Sequence, residues 1–219
     1  MKITWLGHAA LRIEQDGYTL VVDPGAVTPE TLLESALSDA DGLLITHEHF
    51  DHIAPEQVAA ALERKPSLEV WTNRSVADML SGTSATVHTV GDGDAFTAGG
   101  MSVHAYGEWH AEIHRDMPRV LNTGFLIGGK VFHPGDALTL PGVPVELLLA
   151  PQHGPWTRTC EVIDFVRDVK PSRVSPIHDV LLSDIGKNFT DSLLAADPGP
   201  GPGTGAPYSR MTVGESFEL

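Results

Sequence analysis

The sequence has one cysteine, Cys160, among 219 residues. A lone thiol excludes an intrachain disulfide framework and any metal site built from clustered cysteines, and it suits a reducing compartment. No apolar run approaches the roughly 20 residues needed to cross a bilayer. The opening Met1-Lys2-Ile3-Thr4-Trp5-Leu6-Gly7 reads as a strand rather than as the apolar stretch of a secretion signal. The expected location is the cytoplasm, with no membrane partner. Basic residues are scarce: 14 Lys and Arg against 29 Asp and Glu leave a formal net charge of −15. That balance argues against partners bound by phosphate neutralisation, nucleic acid first among them. Two catalytic signatures are missing as well. There is no GxSxG elbow for a serine nucleophile. Gly91-Asp92-Gly93-Asp94 carries acidic side chains and no Lys-Ser/Thr where a phosphate-cradling loop needs them.

What the sequence has is α/β patterning. Short apolar runs predict strands at 3–6, 10–14, 18–23, 43–46, 68–71, 86–90, 101–106, 124–127, 130–133, 145–150, 173–177 and 211–219. Helical spacing recurs at 55–64, 73–80 and 159–169, and from Leu181 onward. Asp197 to Pro207 is a Pro/Gly-rich loop too short to link domains, so residues 1–219 are expected to form one domain. Cys160 opens a helical stretch and is expected to be buried.

Several apolar runs end abruptly at a ligand-type residue: Val21-Val22 at Asp23, Leu43 to Thr46 at His47, Leu147 to Gln152 at His153, Val174 to Ile177 at His178. In open α/β sheets, sites gather at the carboxyl ends of strands. The densest case is His47-Glu48-His49-Phe50-Asp51-His52, directly after a buried-type strand. Six consecutive residues cannot all reach one ion, but the loop can split them. His47 and His49 would face one cation, and Asp51 and His52 a second, with two ions about 3.5–4 Å apart sharing a hydroxide. The bland alternative is a histidine-rich surface turn. Further ligands are sought among the 11 histidines. His104, His110 and His114 compete for the third imidazole. His104 sits in an alternating strand pattern, whereas His110 follows Gly107-Glu108-Trp109 in a loop setting.

The set His47-x-His49-x-Asp51-His52, His110, His133-Pro134-Gly135-Asp136 and His178, with Val22-Asp23-Pro24 ahead of it, resembles the metallo-β-lactamase fold superfamily of metal-dependent hydrolases. Gly7-His8, Gly107-x-x-His110 and Val213-Gly214-Glu215 look like its small single-domain branch, which includes ascorbate-6-phosphate lactonase. The resemblance implies a four-layer αββα sandwich with the site between two sheets. It implies one metal on His47, His49 and His110, a second on Asp51, His52 and His178, and Asp136 bridging both. It makes Asp23 an orienting partner rather than a ligand, and His133 a supporting residue. The di-iron flavoproteins of the superfamily carry Glu where this chain has His49, so two zinc ions are favoured, with manganese or iron as alternatives.

The expected activity is hydrolysis of a small ester, lactone or phosphoester by a hydroxide activated between two metals, with Asp51 orienting the nucleophile and relaying its proton. His8, His153 and Trp156 are the candidate substrate contacts, each weighed against an ordinary loop role. Asp179 is read as an orienting partner of His178 or a helix cap. Arg115, Arg119 and Lys187 are the only bases considered for an anionic substrate group. The partner is a small molecule, and a homo-oligomer is left open. The competing class is a metal-binding, catalytically inactive sensor or interaction protein.

Overall fold

The computed structural model describes residues 1–197, 199 and 201–219. Pro198 and Pro200, in the expected Pro/Gly-rich loop, lie outside the described residues. Two sheets lie face to face. The first runs in the order β13 (Ser216–Glu218), β1 (Lys2–Gly7), β2 (Ala10–Gln15), β3 (Tyr18–Val22), β4 (Gly42–Ile45), β5 (Glu69–Thr72), β6 (Thr86–Thr89). Its first half is antiparallel and its second half, from β3 to β6, is parallel. The second runs β12 (Arg173–Ile177), β11 (Leu147–Pro151), β10 (Val131–His133), β9 (Gly124–Ile127), β8 (Met101–Tyr106), β7 (Ala95–Ala98).

The layering follows from side-chain alternation along each strand. In β4, Leu44 joins the core between the sheets, against Ile3, Trp5, Phe125 and Leu149. Its neighbours Leu43 and Ile45 point the other way, onto α1 (Glu30–Asp39) and α2 (Pro55–Arg64) through Leu33, Leu37, Val58 and Leu62. On the far side, Phe132, Leu148 and Val174 pack against Val162, Phe165 and Val166 of α4 (Thr159–Val169) and Leu194 of α5 (Asp184–Leu194). The result is helix, sheet, sheet, helix. Strands buried on both faces read as unbroken apolar runs, so the β4 and β11 segments were recognisable from sequence. Among the described residues no helix is long and apolar enough to cross a membrane.

Four elements differ from expectation. Helix α1 lacks a sequence signature because Pro29 at its N-cap offers no side-chain acceptor and only Leu33, Ala36 and Leu37 are buried. Strand β7 is a largely exposed edge with no apolar run. The closing strand covers only Ser216–Glu218, because Gly214 turns the chain at φ +82° and Met211 enters the core from a loop. Helix α5 begins at Asp184, where the Ser183 side chain accepts from the Gly186 N–H at 3.2 Å. Cys160 corrects a further expectation: it is exposed. Val162, Ile163, Val166 and Val169 form the inward face of α4, and position 160 falls on the opposite side.

Candidate metal centre

The carboxyl ends of β3, β4, β10, β11 and β12 meet at one edge of the sandwich, and the loops leaving them carry the polar residues. Asp23 ends β3 with no exposed surface. Its Oδ1 accepts from the Thr46 N–H at 2.8 Å, and its Oδ2 accepts from the Thr46 hydroxyl at 2.8 Å and pairs with His52 Nδ1 at 2.7 Å. A carboxylate only accepts, so His52 Nδ1 carries the proton and its Nε2 is turned into the cavity. Two more imidazoles are anchored the same way. His110 Nδ1 donates to the Ala111 carbonyl at 2.5 Å, and His178 Nδ1 donates to the His153 carbonyl. His47 Nδ1 lies 3.0 Å from Thr46 Oγ1, whose own proton goes to Asp23. In each ring the back nitrogen is occupied, and Nε2 faces inward.

These nitrogens surround Asp136. Its Oδ1 is 3.1 Å from His52 Nε2, and its Oδ2 lies 3.0 Å from His178 Nε2, 3.3 Å from His110 Nε2 and 3.8 Å from His47 Nε2. The Asp136 loop is built for that position. Asn122 donates to the Pro134 carbonyl at 2.9 Å and accepts from the Asp136 N–H at 3.0 Å. Gly135 has φ +64°, and a Cβ there would sit 2.2 Å from Asn122 Oδ1. Trp156 folds back over Gly154 and donates its indole N–H to Asp136 Oδ2 at 3.1 Å.

Asp51 occupies the second side of the cluster, 3.4 Å from His178 Nε2 and 3.2 Å from His8 Nε2. His8 Nδ1 accepts from the Val180 N–H at 3.4 Å, so Nε2 holds the proton that points at Asp51. His8, Asp23 and His178 all have positive φ, at +52°, +45° and +58°. Left-handed backbone costs a non-glycine residue of order 1–3 kcal/mol and persists where tertiary contacts impose it.

The electrostatics follow from burial and from the two central carboxylates. Burial drives His47 well below the ordinary histidine pKa, and neighbouring His52 adds to this. Burial lowers His49 too, with His110 contributing. Burial would also lower His52 and His178, but Asp136 overcomes it in both, with Asp23 assisting at His52 and Asp51 at His178. His52 therefore lies well above its ordinary value, and His178 is pushed up to about 9. The same pairings hold Asp136 and Asp51 below the usual carboxylate range despite burial.

This donor set fits cations. Potential ligand atoms form two groups, each with all its atoms within 4.8 Å of one another: His47, His49, His110 and Asp136 in one, His8, Asp51, His52 and His178 in the other. His52 Nε2, His110 Nε2 and Asp136 Oδ1 are buried and make no hydrogen bond, although His52 and Asp136 are close. His47 Nε2 and His49 Nδ1 face each other at 3.1 Å. Buried polar atoms without partners are costly, and a cation in each group would satisfy them. Imidazole with carboxylate is a donor set for divalent metals such as zinc, manganese or iron.

Of the competing imidazoles, the fold brings in His110 and leaves out His104, exposed on β8, and His114, which pairs with Asp116 at 3.6 Å on the surface. His133 supports the site from behind: Nε2 donates to the Ala9 carbonyl at 2.8 Å, and Nδ1 accepts from the Gly135 N–H at 3.2 Å. Trp156 lines the cavity, whereas His153 meets the cluster through its backbone carbonyl. Asp179 is not a cap. It pairs with Arg210 and, at 3.1 Å, with Lys187. Arg210 in turn grips Asp191 at 2.6 Å and Gln152 at 2.5 Å, anchoring the segment after His178. Thr46, Asn122 and Arg210 carried no local sequence signal, because their partners lie far away along the chain.

A sandwich whose strand ends deliver histidines and aspartates to one buried pocket is the metallo-β-lactamase fold. The sequence profile of the β-lactamase superfamily domain matches residues 2–178, and the chain belongs to that superfamily. Protein Rv0786c of Mycobacterium tuberculosis is 32% identical over 188 residues, covering 84% of this chain and 86% of its own length. The UPF0173 metal-dependent hydrolase of Carboxydothermus hydrogenoformans is 28% identical over 206 residues, covering 85% and 90%. The metallo-β-lactamase fold protein YhfI of Bacillus subtilis superposes with a TM-score of 0.73 at 14% identity over 99% of this chain and 98% of its own.

Proposed function

We propose that this chain is a metal-dependent hydrolase that binds two divalent cations and acts on a small ester, lactone or phosphoester. The observation that carries this is the convergence of His47, His52, His110 and His178 Nε2 on the Asp136 carboxylate, with Asp51 opposite. His47, His49 and His110 would hold one cation and Asp51, His52 and His178 the other, with Asp136 serving both. Zinc suits the set, with manganese or iron as alternatives. The relatives named as metal-dependent hydrolases support the assignment.

Cations bound there would supply Lewis-acid activation of water and of the substrate's electrophilic oxygen. The remaining work falls to the chain. Asp51 is held ionised, so it would accept a hydrogen bond from the attacking water, orient it and relay its proton. His8 donates to Asp51 Oδ2 and keeps that carboxylate turned into the pocket. Trp156 limits the motion of Asp136 and screens it from solvent. The net charge of −15 favours a small molecule over nucleic acid as the partner.

Elemental mass spectrometry of protein purified without added metal tests the assignment. About two ions per chain, reduced in both His47→Ala and Asp136→Ala, is the expected result. The reconstituted enzyme should then turn over members of an ester, lactone and phosphodiester panel, and Asp51→Asn should abolish turnover while retaining much of the metal. Protein that takes up no zinc, manganese or iron would refute it.

A further inference from the structure

The cavity that opens onto the His–Asp cluster has a volume of about 300 Å³. Apart from His49, Asp51, His110, Asp136 and His178, its wall is Val27, Phe50, Ile113, Pro155, Trp156, Val180 and Leu181. Among the described residues no lysine or arginine lines it. The one polar side-chain atom among those wall residues, the Trp156 indole nitrogen, is already given to Asp136.

The nearby cations are committed elsewhere. Lys187 and Arg210 hold Asp179. Arg115 is exposed beside Asp116. Arg119 lies 5.1 Å over the Trp109 ring and lines not this cavity but an adjoining one of about 280 Å³, which Glu48 and Glu112 also line. A phosphate or carboxylate tail in the main cavity would lose its hydration and find no countercharge beyond the cluster itself, a costly exchange. An apolar group loses nothing polar there. It also covers Phe50 and Leu181, each 66% exposed at the rim, and exposed apolar side chains beside a site mark contact surface.

We propose that this cavity seats an uncharged apolar alkyl, acyl or aryl group, with Phe50, Ile113, Trp156 and Leu181 setting specificity. Resting on the hydrolase assignment, this selects neutral esters and lactones with an apolar substituent over substrates with a phosphorylated tail.

Titration calorimetry with a homologous series of neutral methyl ketones, on metal-free and metal-loaded protein, reads the cavity without turnover. Each added methylene should lower Kd about threefold to fourfold until the cavity is filled. A phosphate-tailed ketone of equal length should bind at least about tenfold more weakly. Leu181→Asp, a change at an exposed position, should flatten the chain-length dependence, and Leu181→Met should keep it. Equal binding along the series, or tighter binding of the phosphate-tailed compound, would overturn the proposal. Parallel assays on a short neutral ester separate the two claims. Turnover without a chain-length gradient removes the apolar lobe and leaves the hydrolase. A gradient without turnover of any ester or lactone keeps the lobe and removes the hydrolase.

Discussion

His8 Nε2 lies 3.2 Å from Asp51 Oδ2, tying the first hairpin to the histidine-rich loop 43 residues later. The same residue accepts the His178 N–H on its carbonyl at 3.2 Å and the Val180 N–H on Nδ1 at 3.4 Å. One left-handed residue thus links the first hairpin, the loop after β4 and the loop after β12. Replacing His8 with Ala removes a hydrogen bond to a proposed ligand, a change that typically costs 10–100-fold in metal affinity or activity. The expected outcome is a loss of about that size in kcat and in affinity for the second cation, read by chelator competition, with the first cation less affected.

Asp23 satisfies three donors with two oxygens. Asn at this position has one acceptor oxygen, and its amide would face a donor. Asp23→Asn should release His52 from its orientation and weaken metal binding by roughly 10–100-fold. Metal titration of the variant, alongside circular dichroism to verify the fold, measures this directly.

Gly25 is where the loop after β3 touches the loop after β4. A Cβ there would sit 1.9 Å from the Asp51 carbonyl oxygen, so backbone must move. The contact is reinforced by Ala26 N–H to the Phe50 carbonyl at 2.7 Å and Ala54 N–H to the Pro24 carbonyl at 2.9 Å. Gly25→Ala should destabilise the metal-free protein by about 1–3 kcal/mol and displace Asp51. Gly82→Ala, with nothing within 4 Å of the new Cβ, is the control and should be near neutral in denaturant unfolding.

Acid sensitivity should centre partly on Asp191. Burial alone would raise its pKa, but hydrogen bonds from Arg210, Tyr208 and Gln152 overcome this and hold it below the ordinary 3.8. A folded-state pKa below the unfolded one contributes stability that is present above 3.8 and is lost as pH falls through the depressed value. Asp191→Asn should therefore be less stable than wild type at pH 7, with the gap closing in strong acid. Urea unfolding of both proteins across the acid range, without metal, checks the sign. A gap that widened on acidification would contradict it.

The run His47 to His52 and the strand-end position of Asp23 were legible because covalent spacing alone places them in one loop or at one strand end. The buried strands were legible because burial on both faces demands unbroken apolar runs. By contrast, only the loop setting and the family resemblance favoured His110 over His104 and His114. That choice is made when the 107–123 loop closes on Asp136, with Ala111 N–H on the Asp136 carbonyl at 2.9 Å. The same holds for His8 against Asp51, for Trp156 against Asp136, and for the Arg210 network behind His178. Sequence by itself determined the fold class, the superfamily and the kind of donor atom available. Tertiary structure decided which nitrogen of each ring faces inward, which residues stand behind them, and that the cavity wall is apolar. The physical reason is that a ring's orientation is set by what its other nitrogen binds, and those partners lie up to 172 residues away along the chain.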